Sequence, residues 1–164
     1  MSDRHRREHS SLQRRERSSD QAAAFPDAER LISVSHSAPG LNVDDLKSSP
    51  FFYFTERELG RLFEDIALWG TSPASVQKDG EAQSVTGLAV TAGFFKVLAL
   101  RPHIGRGFSE EEDTPAGQPT VILTNEYWQN QFGGEPSVIG KRIVVNDLAR
   151  EIIGVMPQDF RFLI

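Results

Sequence analysis

Residues 120–162, TVILTNEYWQNQFGGEPSVIGKRIVVNDLAREIIGVMPQDFRF, constrain the fold more than any other part of the chain. Residues 120–123 are apolar and mostly β-branched, which favours a strand. Thr124 and Asn125 follow at once, and both residue types cap the N-termini of helices. The sequence therefore predicts a strand that leads directly into a helix.

This predicted helix has an apolar face and a defined end. Tyr127, Trp128 and Phe132 supply its buried side. Gly133 and Gly134 come next, and glycine is the residue that most often ends a helix in left-handed backbone. A short amphipathic helix of about two turns is expected here.

Two strand-like runs complete the segment, at residues 142–145 and 151–155. We expect residues 146–149 to join them as a connection longer than a two-residue turn, and Pro157 to end the second strand. The whole segment has the character of a scaffold rather than of a catalytic motif.

Upstream, residues 31–34 are predicted to form the first strand, and a helix is predicted to begin at Pro50 with Ser49 as its N-cap. Gly60 is expected to break or kink that helix. Five apolar residues recur at helical spacing and are predicted to line one face: Phe52, Leu59, Leu62, Phe63 and Ile66.

The aromatic run at residues 51–54 can be interpreted in two ways. Aromatic residues at helical spacing most often belong to a hydrophobic core, and we adopt that interpretation. The alternative is an exposed patch that contacts a ligand or a membrane.

A β-hairpin is predicted next. Residues 69–77 are strand-like, and Pro73 within them indicates an edge strand or an interruption. Asp79 and Gly80 signal a turn, and residues 83–90 alternate well enough to be the returning strand.

Two short helices are expected after the hairpin. Thr91 is a candidate cap for a helix whose apolar residues are Phe94, Phe95, Val97 and Leu98. Ser109 and Glu112 have the spacing of a capping box, and acidic residues 110–113 suit the start of a second helix.

Composition indicates one domain with a tail. The chain has 164 residues, 38% of them hydrophobic, which suffices for one core of ordinary size. Residues 25–164 are predicted to be the domain, and residues 1–24 a disordered charged tail with almost no large apolar side chain. A basic arm for nucleic acid or anionic lipid is the alternative for that tail. The domain itself is acidic, which argues against nucleic-acid binding.

Several classes of site are excluded by residue type. The chain has no cysteine, so disulfides, cysteine zinc sites and thiol nucleophiles are impossible. The longest charge-free stretch is residues 82–95, well short of the roughly 20 apolar residues of a spanning helix. No apolar signal region follows the basic N-terminus. Made in this form, the chain is expected to stay in the cytoplasm without inserting into a membrane.

Three strings suggest chemistry, and each favours a structural interpretation. Residues 134–141 resemble a phosphate-binding loop but have five residues between the glycines and follow a helix. The acids at 110–113 are consecutive and are interpreted as a solvated helix start rather than a cation site. His5, Glu8 and His9 match an inverted zinc-protease motif but lie in the tail.

The remaining candidates for chemistry are isolated. His36 and His103 are each more typical of a surface or core histidine than of a ligand or base. Ser72 lacks the flanking glycines of a nucleophile elbow. Glu64 and Asp65 are adjacent in the sequence, but adjacency alone does not direct two carboxylates at the same scissile bond of a substrate. No catalytic constellation, cofactor site or metal site is predicted.

Several short strings, in order, carry a resemblance to a known family. They are FPDAERLI at 25–32, SPFFYF at 49–54, FEDIALW at 63–69, VTAGFFKVLALRPHIGRGFSEEED at 90–113, YWQNQFGGEPSVIGKRIVVN at 127–146 and IIGVMPQDFRF at 152–162. Together they closely resemble the MacB-like periplasmic core domain of FtsX/MacB-type ABC transporter permeases. The similarity spans nearly everything outside the tail.

The resemblance implies an α+β fold with a mixed sheet, short helices, a porter-like β-α-β layer and a β-rich portion. It also implies a non-catalytic module on the periplasmic face of the cytoplasmic membrane, with the permease membrane domain and an ABC ATPase subunit as partners. The positions that match its motifs are expected to be structural: Gly93, Phe94, Phe95, Gly105, Arg106, Phe108, Trp128, Phe132, Gly133, Gly134, Gly140, Gly154 and Pro157.

The chain also departs from the family pattern. A charged tail stands where the first membrane helix is usual, and the domain is expected to be incomplete at its C-terminus. Asp147 replaces the usual hairpin glycine. The leading hypothesis is a truncated or separated permease module; the alternative is a stand-alone soluble interaction module, with a homodimer through open sheet edges as a candidate assembly in either case. A hydrolase is the least favoured hypothesis.

Overall fold

The computed structural model describes residue 25 and residues 27–34, 36–38, 43–46, 50–60, 63–78 and 81–162. The tail at 1–24, with His5, Glu8 and His9, lies outside the described residues, as do Ser49, Leu62 and the turn residues Asp79 and Gly80.

Short helices and short strands alternate along the chain. The helices are α1 (Pro50–Leu59), α2 (Phe94–Val97) and α3 (Asn125–Phe132), with single 3₁₀ turns at Ala28–Arg30 and Pro136–Val138. The strands are β1 (His36–Ala38), β2 (Val43–Leu46), β3 (Trp69–Lys78), β4 (Glu81–Val90), β5 (Ile104–Gly105), β6 (Thr120–Leu123), β7 (Arg142–Val145) and β8 (Leu148–Val155).

Six strands form one mixed sheet in the order β4-β3-β7-β8-β5, with β6 also paired to β8. β6 runs parallel to β8, and the other pairs of this sheet are antiparallel. Because α3 lies between β6 and β8 in the chain, this part is a β-α-β layer, while the long β3–β4 hairpin makes the opposite end β-rich. The expected α+β class is confirmed. β1 and β2 form a separate antiparallel pair.

The hydrophobic core lies between α3 and the β6–β8 pair. Trp128 packs there with the buried residues Leu123, Val138, Ile152 and Val155, as the apolar face predicted for α3 requires. Thr124 caps α3 by accepting a hydrogen bond from the Tyr127 amide at 3.2 Å, and Gly133 ends the helix in left-handed backbone. The predicted strand, cap, helix and glycine end are all confirmed.

A second group of aromatic rings packs away from Trp128. Phe94, which is buried, contacts Phe95 and Phe162 with ring centroids 5.3 and 5.2 Å apart. Phe95 also packs on Phe160, and Trp69 on Phe162. The aromatic residues of the motif blocks thus divide into two groups, one behind α3 and one around α2.

The first helix confirms the break predicted at Gly60 and corrects the prediction of its apolar face. It ends at Leu59, because Gly60 takes left-handed backbone (φ 54°) and its amide bonds back to the Glu56 carbonyl. Phe63 and Ile66 therefore lie beyond the helix and do not continue its face. The expectation of a single face through these residues was wrong.

The aromatic run on α1 is mostly exposed, which corrects its interpretation as core. Tyr53 is 3% exposed, whereas Phe51 is 79% and Phe54 57% exposed. Successive helix positions are about 100° apart, so Phe51 and Phe54 leave the face on which Tyr53 meets the body. Only one side chain of the run is fully buried.

Two further predictions near the N-terminal half were wrong. Residues 31–34 belong to no strand. An aliphatic run becomes a strand only where a neighbouring strand can pair with it. Thr91 does not cap α2; its hydroxyl accepts a hydrogen bond from the Leu68 amide at 3.0 Å and extends the β3–β4 ladder. The hairpin itself is confirmed, with β3 uninterrupted through Pro73.

The connection between β7 and β8 is shorter than predicted. Leu148 already pairs with Val145, so only Asn146 and Asp147 form the turn, with φ of 51° and 62°. Asn and Asp tolerate this backbone better than other non-glycine residues, which is how a two-residue hairpin turn forms without glycine.

Asn146 also fastens this turn to β3. Its side-chain oxygen accepts from the Ser75 amide at 2.8 Å, and its own amide donates to the Ser75 carbonyl at 2.9 Å. These two bonds continue the short β3–β7 pairing of Val76 with Val145. The carboxamide therefore replaces one rung of the ladder.

We predict that Asn146→Gly lowers the free energy of unfolding by about 1 kcal/mol, because the Ser75 amide loses its acceptor. The matched control is Asp147→Gly in the same turn, which relieves left-handed strain and loses only the exposed bond that Asp147 Oδ1 accepts from Gln77 Nε2 at 3.2 Å, so stability should change by less than about 0.5 kcal/mol. Urea denaturation followed by circular dichroism measures both. Equal stability of the two variants would show that Asn146 serves the turn alone.

Candidate functional site

The acid loop, residues 109–113, is the most densely bonded polar feature of the described structure, and it was expected to be a solvated helix start. It forms a turn rather than a helix. The predicted helix was therefore wrong. Three of the four carboxylates bind other elements, while Glu110, Glu111 and Asp113 are exposed to solvent as expected. Ser109 and Glu112 do bond as in a capping box, with the Ser109 amide donating to Glu112 at 2.7 Å.

Glu112 and Arg106 form the central ion pair of the acid loop. Arg106 Nη1 and Nη2 donate to Glu112 Oε2 and Oε1, both at 2.8 Å, in the two-bond geometry that guanidinium and carboxylate favour. The Glu112 side chain is 9% exposed. The hydrogen bonds from Arg106 lower the pKa of Glu112 to about 2, with a further contribution from the Ser109 amide.

The other two bonded acids reach α1 and α2. Glu110 pairs with Arg57 on α1 at 3.0 Å; the Tyr53 hydroxyl and this carboxylate together raise the pKa of Arg57. Asp113 Oδ2 accepts from the Ala92 amide, just before α2, at 3.0 Å. The acid loop therefore connects α1, α2 and the segment that carries Arg106.

The acid loop is attached to the sheet through a close backbone approach. Gly105 in β5 lies opposite Gly154 in β8, and the Arg106 amide donates to the Ile153 carbonyl at 2.8 Å. A Cβ at Gly105 would lie 2.1 Å from the Ile153 carbonyl oxygen, and one at Gly154 would lie 2.7 Å from the Arg106 carbonyl oxygen. Only glycine allows the two strands to come this close.

The remaining motif residues support this arrangement. Phe108 stacks on Phe95 at 6.1 Å, which links the acid loop to the aromatic group around α2. The Gly140 amide donates to the Ile152 carbonyl at 2.8 Å, beside the buried core. Trp128 Nε1 donates to the Glu135 carbonyl at 3.0 Å and so holds the segment after α3.

The motif residues thus fall into three places. Gly105, Arg106, Phe108 and Gly154 meet at the acid loop and β8; Gly93, Phe94 and Phe95 lie at α2; Trp128, Phe132, Gly133, Gly134, Gly140 and Pro157 surround α3 and its exit. They do not converge on one pocket.

Sequence reasoning missed four residues in and around the acid loop. Arg57 lies in none of the strings that carry the resemblance. Lys96 and Asp65 lie within two of those strings but were not predicted to form a pair; they bond at 2.8 Å between α2 and the segment before β3. Gly117 closes the loop, since a Cβ there would lie 2.6 Å from the Glu111 and Glu112 carbonyl oxygens. An isolated glycine after an acidic run was the one available signal.

Two open clefts of about 390 Å³ each flank these features. One lies over Trp128 and includes His103 and Gln129; the other lies beside Phe95 and includes Lys96. Neither brings carboxylates together. Within the described ranges no group of three or more His, Asp or Glu side chains has the arrangement of a metal site.

Comparison with known proteins identifies the family to which this architecture belongs. The family model described as the MacB-like periplasmic core domain matches residues 14–163. The chain belongs to this family. It is the family of periplasmic domains of ABC-type transporter permeases, so the family resemblance seen in the sequence is confirmed. No curated protein matches the chain.

One solved structure supports the MacB-like fold, and a second is reported beside it. The periplasmic region of MacB from Actinobacillus actinomycetemcomitans superposes with a TM-score of 0.55 at 15% identity, over 76% of this chain and 58% of that one. The extracellular domain of the noncanonic ABC-type transporter YknZ from Gram-positive bacteria gives 0.49 at 21% identity, over 57% and 49%. The MacB-like domain described here therefore spans less than two thirds of either structure.

No helix in the described part of this MacB-like domain combines the length and apolar composition needed to cross a membrane.

We predict that Glu112→Gln destabilises the MacB-like domain by about 1–2 kcal/mol at pH 7, because an ionised partner of Arg106 is lost. The pKa of Glu112 is lowered on folding, so its contribution is complete above the ordinary glutamate pKa and disappears as the pH falls towards 2. The difference between wild type and variant should therefore shrink below about pH 4.5. Urea titrations across this pH range measure it.

The matched control is Glu111→Gln in the same loop, at an exposed position. It removes the same charge and should change stability by less than about 0.5 kcal/mol at any pH. A pH-independent loss in Glu112→Gln, or an equal loss in Glu111→Gln, would contradict the role of the ion pair.

Proposed function

We propose that this chain acts as the periplasmic core module of an ABC-type permease of the efflux, lipoprotein-release or mechanotransmission type. In this role it stands outside the cytoplasmic membrane, and its partners are the permease membrane domain and the ABC ATPase subunit. The observation that carries the proposal is the family match across residues 14–163. A second copy of the chain is a further candidate partner, because open sheet edges favour strand addition.

We further propose that the module does no bond chemistry. The described carboxylates nearest to the motif residues are engaged in structural contacts: Glu112 with Arg106, Glu110 with Arg57 and Asp113 with the Ala92 amide. The cleft that contains His103 is lined by amide and apolar side chains, which offers the histidine no orienting carboxylate. These contacts favour a mechanical role.

The mechanical role rests on a continuous set of contacts from α1 to the centre of the sheet. Arg57 on α1 pairs with Glu110, Glu112 in the same loop pairs with Arg106, and the Arg106 amide bonds to Ile153 in β8. Movement of α1 is then passed to the sheet through these bonded groups. The motif residues around Arg106 have their proposed role in this chain of contacts.

A chimera tests this function directly. Residues 25–162 replace the matching part of a MacB-family permease whose transport and ATP hydrolysis are both measurable. We expect the chimera to transport, and Glu112→Gln within it to reduce transport by about fivefold or more while ATP hydrolysis continues, since coupling between sites is typically of this size.

Glu111→Gln in the chimera is the control and should transport normally. A chimera that reaches the membrane intact but does not transport would contradict the proposal. So would a transporting chimera on which Glu112→Gln has no effect. Turnover of a substrate by the isolated chain would contradict its non-catalytic part.

A further inference from the structure

The outer edge of β4 is long, regular and open among the residues that the structure describes. All ten residues of Glu81–Val90 pair with β3 in unbroken register, from Lys78–Glu81 to Trp69–Val90. The described strands offer β4 no second neighbour. Edge strands in natural proteins are usually shorter or interrupted, because unpaired backbone groups accept other strands.

The geometry determines which backbone groups of β4 face outward. Pro73 lies opposite Thr86, and proline has no amide hydrogen to exchange across the pair. Thr86 is therefore in the pair type whose N–H and C=O point away from β3. In an antiparallel pair the direction of the backbone groups alternates from one residue to the next, so odd-numbered residues should face β3. Thr91 agrees, because its amide donates inward to the Leu68 carbonyl at 3.1 Å. The even-numbered residues 82–90 consequently present their backbone groups to the open edge.

The two outer sides of this hairpin differ in protection, and that of β3 is already paired with β7 at Val76 and Gln77. On β3, Pro73 removes a donor from the edge, and the Asn146 carboxamide and amide cover the Ser75 backbone next to it. β4 has no proline, no lysine and no bulge, and its one charged residue is Glu81 at the very start. The devices that block strand addition are present on β3 and absent from β4.

We propose that β4 pairs antiparallel with β4 of a second copy, with the two-fold axis at Thr86. In this register Thr86 faces its own equivalent, Ala82 faces Val90, and Ser84 faces Leu88. Even-numbered residues then meet even-numbered residues, so each outward N–H and C=O finds its counterpart. Two hairpins become one continuous four-stranded sheet.

The sequence of β4 favours a second copy over an unrelated strand. The pairing is self-complementary, and it places the two Glu81 carboxylates at opposite ends, each across from Thr91 rather than from another acid. The stretch 82–90 is uncharged, so two chains that each carry a net charge of −5 meet at their least repulsive edge. The β3–β4 hairpin also gains stability from this pairing, because two-stranded ribbons with exposed faces are only marginally stable.

The first test is the mass of the full chain in solution. Sedimentation equilibrium up to about 100 μM is suitable, since one strand pair buries less than a standard interface. We expect a reversible dimer of twice 18.3 kDa for the wild type and for Thr86→Ala, which keeps the amide. Thr86→Pro removes one outward donor without touching the β3 ladder and should be monomeric with an unchanged circular dichroism spectrum.

The second test maps the register and does not depend on Thr86→Pro folding. The chain has no cysteine, so a single Thr86→Cys is the only thiol, and two copies across the axis would have Cα atoms about 5.5 Å apart, within disulfide range. Thr86→Cys should form a disulfide dimer under copper–phenanthroline. Ala82→Cys should not, because its two copies lie roughly 26 Å apart in this register.

Three results would overturn the proposal. They are a monomeric wild type at about 100 μM, a Thr86→Pro variant that still dimerises, and equal crosslinking of Ala82→Cys and Thr86→Cys. The first would leave the edge to another strand, such as the chain's own residues 1–24 or a different protein. The last would indicate a different register.

Discussion

The close approach of β5 to β8 is the constraint on which the rest of this domain depends. β8 pairs with β7, β5 and β6, and its residues 152–155 are buried, as is Met156 just beyond it. Gly154 allows the Arg106 carbonyl to lie where a Cβ would otherwise stand. This contact places Arg106 beside Glu112, and the neighbouring acids Glu110 and Asp113 bond to Arg57 on α1 and to the Ala92 amide before α2. The approach thus sets where Arg106, and with it the acid loop, lies on the sheet.

Much of the C-terminal half could be predicted from the sequence, because its signals are local. The Thr124 cap, the aromatic face of α3 and the end at Gly133 each depend on residues within a few positions.

The turn at Asn146 and Asp147 was missed because glycine was expected where Asn and Asp also tolerate left-handed backbone. The run at 51–54 was misjudged because the helix turns only Tyr53 towards the body.

The contacts of the acid loop with α1 and α2 could not be predicted, because the partners of Glu110 and Asp113 lie far away in the sequence. Four consecutive acids suggest a solvated helix start, and nothing local indicates that Arg57 lies within reach. The motif residues were identified from resemblance, yet their division between β8, α2 and α3 became visible only in three dimensions. In this chain several of the motif positions lie at close backbone approaches and packing contacts, as Gly105, Gly154 and Trp128 do.

Gly154 allows β5 to pair closely with β8, and this pairing positions the acid loop on the sheet. Native-state hydrogen exchange of the amides at 152–155 measures this most directly, in the wild type, in Gly154→Ala and in Gly70→Ala. A Cβ added at Gly70 would meet no atom within 4 Å, so the Gly70→Ala variant should exchange as slowly as the wild type. Gly154→Ala should exchange about 30-fold faster or more, as a forced overlap of about 2 kcal/mol requires. Equal protection in the two variants would contradict this central role of Gly154.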